Sequence, residues 1–157
     1  MEKLNIRQAT MEDFDELFKL KLESREEARQ FNKKLVPVND VAGRYEEYLK
    51  KDLSSEWRAV FIAVDDGNII GMVLGKIFRS MYIQGYERTG YISNLYVKKE
   101  FRKRGAGEKL TKAVLDWFRS KDATALTLEV YEANDTAKDF YHKLGFKNHS
   151  VKMVRDI

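Results

Sequence analysis

The sequence predicts an α+β fold in three layers (α/β/α): a central mixed, mostly antiparallel sheet of six to seven strands with helices on both faces. Three observations predict it. Strand-type and helix-type hydrophobic periods alternate along the chain without repeats or a linker. Two β-branched runs flank Asp65, Asp66, Gly67 and Asn68, a strong hairpin signature. Residues Tyr91 to Val130 read as strand, helix and parallel strand.

The elements follow in order. Leu4 to Ala9 is short and extended, and Thr10 with Asp13 three residues on forms an N-cap pair. Met11, Phe14, Phe18 and Leu22 recur at three and four, which predicts a first amphipathic helix. Charged residues from Arg25 to Lys34, closed by Pro37, read as loop or frayed helix. Val41, Tyr45, Tyr48 and Leu49 give a second helical face that ends before Ser54. Trp57 to Val64 and Ile69 to Phe78 are the hairpin strands, and Arg79 to Gly85 leads to a third run, Tyr86 to Val97. A helix is expected from about Gly105, with Leu110, Ala113, Val114, Trp117 and Phe118 inward, followed by a strand over Thr124 to Val130. Asn134 can cap a last helix that Gly145 stops, and Phe146 to Ile157 reads as one or two closing strands.

A chain of 157 residues fits a single domain, residues 1–157, large enough to bury roughly two thirds of its unfolded surface. The longest apolar run, Ala59 to Val64, is far short of the ~20 residues that span a bilayer, and Met1 to Thr10 lacks a signal peptide's apolar stretch. A cytoplasmic protein without membrane partners is expected. With no cysteine, disulfides, thiolate metal sites and cysteine acyl-enzymes are excluded. With His142 and His149 as the only histidines, no metal is expected. The net charge of +4 is concentrated: Lys98 to Lys112 holds seven basic residues against Glu100 and Glu108. Such a patch reads as a pocket for one polyanion rather than a nucleic-acid coat.

The chemistry gathers where the strand ending at Val97 passes into the helix after Gly105. Arg102-Lys103-Arg104-Gly105-Ala106-Gly107 puts glycines at a helix N-terminus, where unpaired N–H groups and the helix dipole attract an anion. Lys98 and Lys99 add charge. A Walker loop is absent. The dinucleotide fingerprint begins at Gly105 and Gly107 but meets Leu110 at its third glycine, and seven residues separate it from the strand. A plain basic helix cap is the bland alternative.

The strings Asn94-Leu95-Tyr96-Val97, Arg102-x-x-Gly105-x-Gly107 and Asn134-x-x-Ala137-x-x-Phe140-Tyr141-x-x-x-Gly145-Phe146 together resemble the GNAT superfamily of acetyl-CoA-dependent N-acetyltransferases. Ile6-Arg7-x-Ala9-Thr10-x-x-Asp13 is similar to its usual opening. The resemblance implies the GNAT fold and transfer of acetyl from acetyl-CoA to a primary amine of a small molecule or protein, by direct attack in a ternary complex. It implies that the coenzyme diphosphate lies on the amides of Arg104 to Gly107, among Arg102, Lys103 and Ala106, with pantetheine beside Leu95, Tyr96 and Val97. An N–H near Leu95 would meet the acetyl carbonyl, and Tyr141 would protonate the leaving thiolate.

On the last helix, Asn134, Lys138 and Tyr141 are expected to face the site, and Ala137, Phe140 and Leu144 the sheet. Glu87 is the first candidate base and Glu129 the second, with a water relay as a further option; His142 reads as surface. Only eleven residues follow Phe146, so the hairpin that usually walls the acceptor groove is expected to be short; the helical region from Thr10 to Leu53 is expected to supply the opposite wall, with Tyr45, Tyr48, Tyr82 and Tyr86 as candidate lining residues. Homodimers are common in the family. Two readings outside it compete: a nucleotide-dependent oxidoreductase, and a non-catalytic nucleic-acid or acyl-CoA-binding module.

Overall fold

The computed structural model describes residues 4–79 and 88–157. Strand β1 (Asn5–Gln8) leads through a 3₁₀ turn, Met11–Asp13, into α1 (Phe14–Ala28). Helix α2 (Val38–Ser54), strands β2 (Arg58–Asp65), β3 (Asn68–Arg79) and β4 (Arg88–Val97), helix α3 (Ala106–Ser120), β5 (Ala125–Leu128) and α4 (Asp135–Lys143) follow. Among the described residues the sheet has five strands in sequence order, antiparallel except for the β4–β5 pair.

Local chemistry accounts for the boundaries. Thr10 Oγ1 accepts from the Glu12 amide while Asp13 accepts from the Thr10 amide, a reciprocal cap that starts the first helix. Asp66 and Gly67 both have positive φ, as a two-residue I′ hairpin requires. Gly145, with φ of 88°, ends the segment after α4.

The sheet's pleat divides the core. Val60, Ile62, Met72 and Leu74 point to the face covered by Leu17 and Leu20 of α1 and Leu49 of α2. Ala63, Ile70, Val73 and Ile92 face Leu110, Val114 and Phe118 of α3. On the first side lies a charge, Asp52, only 2% exposed. One of its oxygens meets Lys21 Nζ at 3.3 Å; the other meets Arg58 at 3.1 Å and Lys76 at 3.8 Å. Burial pulls the Lys21 ammonium below the usual lysine range, with Asp52 opposing.

One expectation is corrected. Residues 147–157 form no strand, so the expected closing strands are absent and, among the described residues, the sheet has five strands where six or seven were expected. Val151, Met153 and Val154 lie exposed there, without the apolar partner surface that would fix a strand. The segment from Arg25 to Lys34 is the last turn of α1, to Ala28, followed by turns, in line with the loop or frayed helix expected.

Gly75 and Gly90 let α3 settle on the sheet. A Cβ at Gly90 would lie 2.5 Å from Leu126 and 2.8 Å from Phe118. Gly90→Ala is therefore expected to destabilise the fold by about 1–3 kcal/mol, read from urea unfolding midpoints at unchanged slope.

Candidate active site

The β4–β5 ladder is short. Pairing runs from Thr89 opposite Ala125 to Ile92 opposite Leu128 and then ends, while β4 stays paired to β3 as far as Val97. A bulge marks the parting: Leu74 opposes Asn94 but Gly75 opposes Ile92, so Ser93 is the extra residue on β4. Beyond it the two strands diverge around a cleft of ≈ 210 Å³. One wall is Ser93, Asn94, Leu95 and Tyr96; the other is Leu128, Glu129 and Val130. Helix α1 closes one end with Ser24 and Glu27, and α4 contributes Asn134, Ala137 and Tyr141.

Tyr141 is half-buried, its ring edge-on to Phe140 and Phe146 with centroids 5.2 and 5.5 Å away. Burial pushes its phenol up to about 12. It is therefore a protonated donor across the neutral range. Asn134, expected on the site, lines the cleft while its side chain also caps α4, accepting from the Ala137 amide at 3.1 Å. The expected face is shifted by one residue: Ala137 lines the cleft, whereas Lys138 turns to Asp135 at 3.0 Å and Glu132 at 3.3 Å. Glu129 is exposed on the cleft wall and makes no ion pair among the described residues. Glu87, with Tyr82 and Tyr86, lies outside the described residues. Tyr45 is not on the cleft; its ring lies under Lys21 and Arg25.

The basic turn begins after a 3₁₀ turn, Lys99–Phe101. Lys103 has φ of 60° and Gly105, the residue before α3, φ of 82°. This left-handed pair aims successive amides outward, and none from Gly105 to Glu108 meets an acceptor among the described residues. Gly107 faces α4: a Cβ there would lie 3.4 Å from the Phe140 ring, an ordinary contact distance. Arg104 lies over Phe101. Arg102 is committed elsewhere, donating from Nε to Val97 O and from a terminal nitrogen to Glu27, each at 2.8 Å. The arrangement offers an anion a helix N-terminus, and an extended ligand an unpaired strand edge leading from it.

The helical region expected to wall the groove does so, but sequence reasoning did not single out the residues of α1 that reach it, Ser24 and Glu27. Leu17, Leu20, Ser24, Glu27 and Phe31 continue one helical stripe into polar residues. The signal was the unbroken spacing of three and four, masked by the charged residues on the other faces.

The profile described as "Acetyltransferase (GNAT) family" matches residues 13–146. The chain belongs to the GNAT family. This GNAT protein is 33% identical over 108 residues to N-alpha-acetyltransferase 30 of Schizosaccharomyces pombe, covering 68% of this chain and 70% of that one. It is 27% identical over 155 residues to an N-alpha-acetyltransferase of Sulfurisphaera tokodaii, covering 96% and 83%. In fold it resembles a variant of the BH1408 protein from Bacillus halodurans, with a TM-score of 0.85 at 24% identity over 98% of this chain and 99% of that one. The fold also matches the aminoglycoside N-acetyltransferase AAC(6')-Iy in complex with CoA, at TM-score 0.78 and 22% identity over 98% and 95%. As a GNAT N-acetyltransferase it moves acetyl from its co-substrate acetyl-CoA to an amine.

The Tyr141 phenol gives a pH test. Its folded pKa lies above the ordinary value, so its contribution to stability is complete below about pH 10 and is lost as pH rises through about 12. Over that window, urea midpoints of the unaltered protein are expected to fall more steeply than those of Tyr141→Phe. Parallel curves would contradict the burial.

Proposed function

We propose that this GNAT enzyme acetylates an α-amine by direct attack within the cleft between β4 and β5. The observation that carries the reading is the divergence after Ile92 and Leu128, which leaves one edge of β4 unpaired next to a protonated, half-buried Tyr141. The diphosphate of the coenzyme is assigned to the amides of Gly105 to Glu108, with Lys103 and Arg104 nearby. Their outward aim and open donors support this, as does the helix dipole behind them. Pantetheine is assigned to the free edge at Leu95, Tyr96 and Val97, where it can add as a strand.

The chemistry then needs four things from the chain. A backbone N–H near Leu95 stabilises charge on the acetyl oxygen as the amine adds. Tyr141 gives its proton to the departing thiolate, a role its raised pKa suits. Glu129 takes the proton lost by the amine, directly or through water. Ser24 and Glu27 close the cleft on the side of α1. An enzyme nucleophile is unnecessary because the amine itself attacks.

A peptide N-terminal α-amine is the favoured acceptor, supported by the two N-alpha-acetyltransferase relatives. Residues 1–157 are read as a single catalytic domain, supported by a family match that spans most of the chain. Cytoplasmic residence agrees with the described helices, none of which is long and apolar enough to cross a membrane.

The test is release of free thiol from acetyl-CoA across a panel of peptide N-termini, lysine side chains and small amines. Turnover is expected with peptides; turnover with small amines alone would reverse the acceptor assignment. Tyr141→Phe should lower kcat by about 10²–10⁴-fold with KM for acetyl-CoA little changed. Gly105→Ala, forced into a left-handed conformation that costs about 1–2 kcal/mol, should weaken CoA binding by roughly tenfold in calorimetry.

A further inference from the structure

Arg102 opens the basic turn, yet its guanidinium is already spoken for on three sides. Nε donates to Val97 O at 2.8 Å, a terminal nitrogen donates to Glu27 Oε2 at 2.8 Å, and the plane lies 5.5 Å from the centre of the Tyr96 ring. The Arg102 side chain is 38% exposed, so its hold depends on these fixed directions rather than on burial, whereas that of Glu27 is 20% exposed. One turn earlier on α1, Ser24 Oγ lies 3.2 Å from Asn94 Oδ1. Two neighbouring positions of α1 thus meet the half of β4 that has lost β5 as a partner, together with the turn that follows it.

That half of β4 has an unusual mechanical problem. It must keep one edge open for a ligand, so it is held from one side by β3 and cannot be held from the other by a strand. A brace from above the sheet is the remaining way to fix it. Arg suits the task, because a planar fork can bond a carbonyl and a carboxylate in fixed directions. Glu27 neutralises the guanidinium and sets its orientation.

We propose that Glu27 is a positioning residue for acetyl transfer: through Arg102 it braces the free edge of β4 and the start of the basic turn against α1. Arg102 then acts as a strut rather than as a ligand of the diphosphate. This rests on the coenzyme seat proposed above, because the braced residues are those assigned to pantetheine. Misplacement of such an edge by about 1 Å can cost up to about 10²-fold in rate.

The test compares acetyl-CoA with S-acetylpantetheine, a thioester that lacks the diphosphate, in the unaltered enzyme, Glu27→Gln, Arg102→Lys and the double variant. A strut predicts that each single variant lowers kcat/KM by about 10–100-fold with both thioesters alike, and that the double variant is little worse than the poorer single one. Glu27→Asp, which keeps the charge on a shorter arm, should recover part of the loss and stands in should Glu27→Gln fail to fold. Hydrogen exchange without any coenzyme should show faster opening of residues 93–97 in the variants, with β2 unchanged. A loss in Arg102→Lys confined to acetyl-CoA would make Arg102 a diphosphate ligand and overturn the proposal, as would unaltered kinetics and exchange in Glu27→Gln. Equal use of the two thioesters by the unaltered enzyme would instead sink the diphosphate seat, while the exchange result would still judge the brace.

Discussion

The parting of β4 from β5 is the constraint on which the rest of the structure depends. Parallel strands in a sheet normally satisfy each other's backbone groups along their whole length, and an orphaned edge is costly unless something covers it. Here the ladder stops after the Ile92–Leu128 pair, and the Ser93 bulge twists β4 away. An edge that a globular protein would ordinarily protect is left open here, which is why the extended coenzyme is proposed to lie on it as a missing strand.

Everything nearby serves that opening. Gly75 and Gly90 bring Phe118 close to the sheet, which sets α3 low enough for its N-terminus to meet the end of β4. The left-handed backbone at Lys103 and Gly105 then turns the first amides of α3 outward. Helix α4, capped by Asn134 and stopped before Gly145, brings Tyr141 to the opposite lip in an apolar setting of Phe140 and Phe146. Cation-rich turn, free edge and neutral phenol lie in series, an order matched to a molecule with an anionic head and a reactive end.

Much of this was legible in the sequence, because its carriers are local. The Thr10–Asp13 cap, the Asp66-Gly67 hairpin and the glycines of the basic turn each announce a backbone geometry that few residues permit. Five strands and four helices fall close to their expected places. Other features were not local. The face of α4 presented to the cleft depends on how the helix rolls against α3, and a shift of one position exchanged Lys138 for Ala137. The helical wall was expected, but the roles of Ser24 and Glu27 within it were hidden because both interrupt an apolar stripe, and only the partner residues Asn94 and Arg102 give them meaning. The closing strands failed for a related reason: the apolar residues Val151, Met153 and Val154 favour a strand only where a neighbouring edge accepts it.

The buried Asp52 bears on the same wall from a distance. Apolar contacts between α1, α2 and the sheet tolerate a range of sliding, but an α2 carboxylate buried between α1 and the sheet does not. If α1 rotated by a single residue, Lys21 would leave that carboxylate, and the separated charges would face a low-dielectric interior. Lys21 sits one turn before Ser24 on the helix. The ion cluster therefore works as an index pin: it fixes the angular setting of the whole helix, and with it the alignment of a candidate cleft to which it contributes no atom.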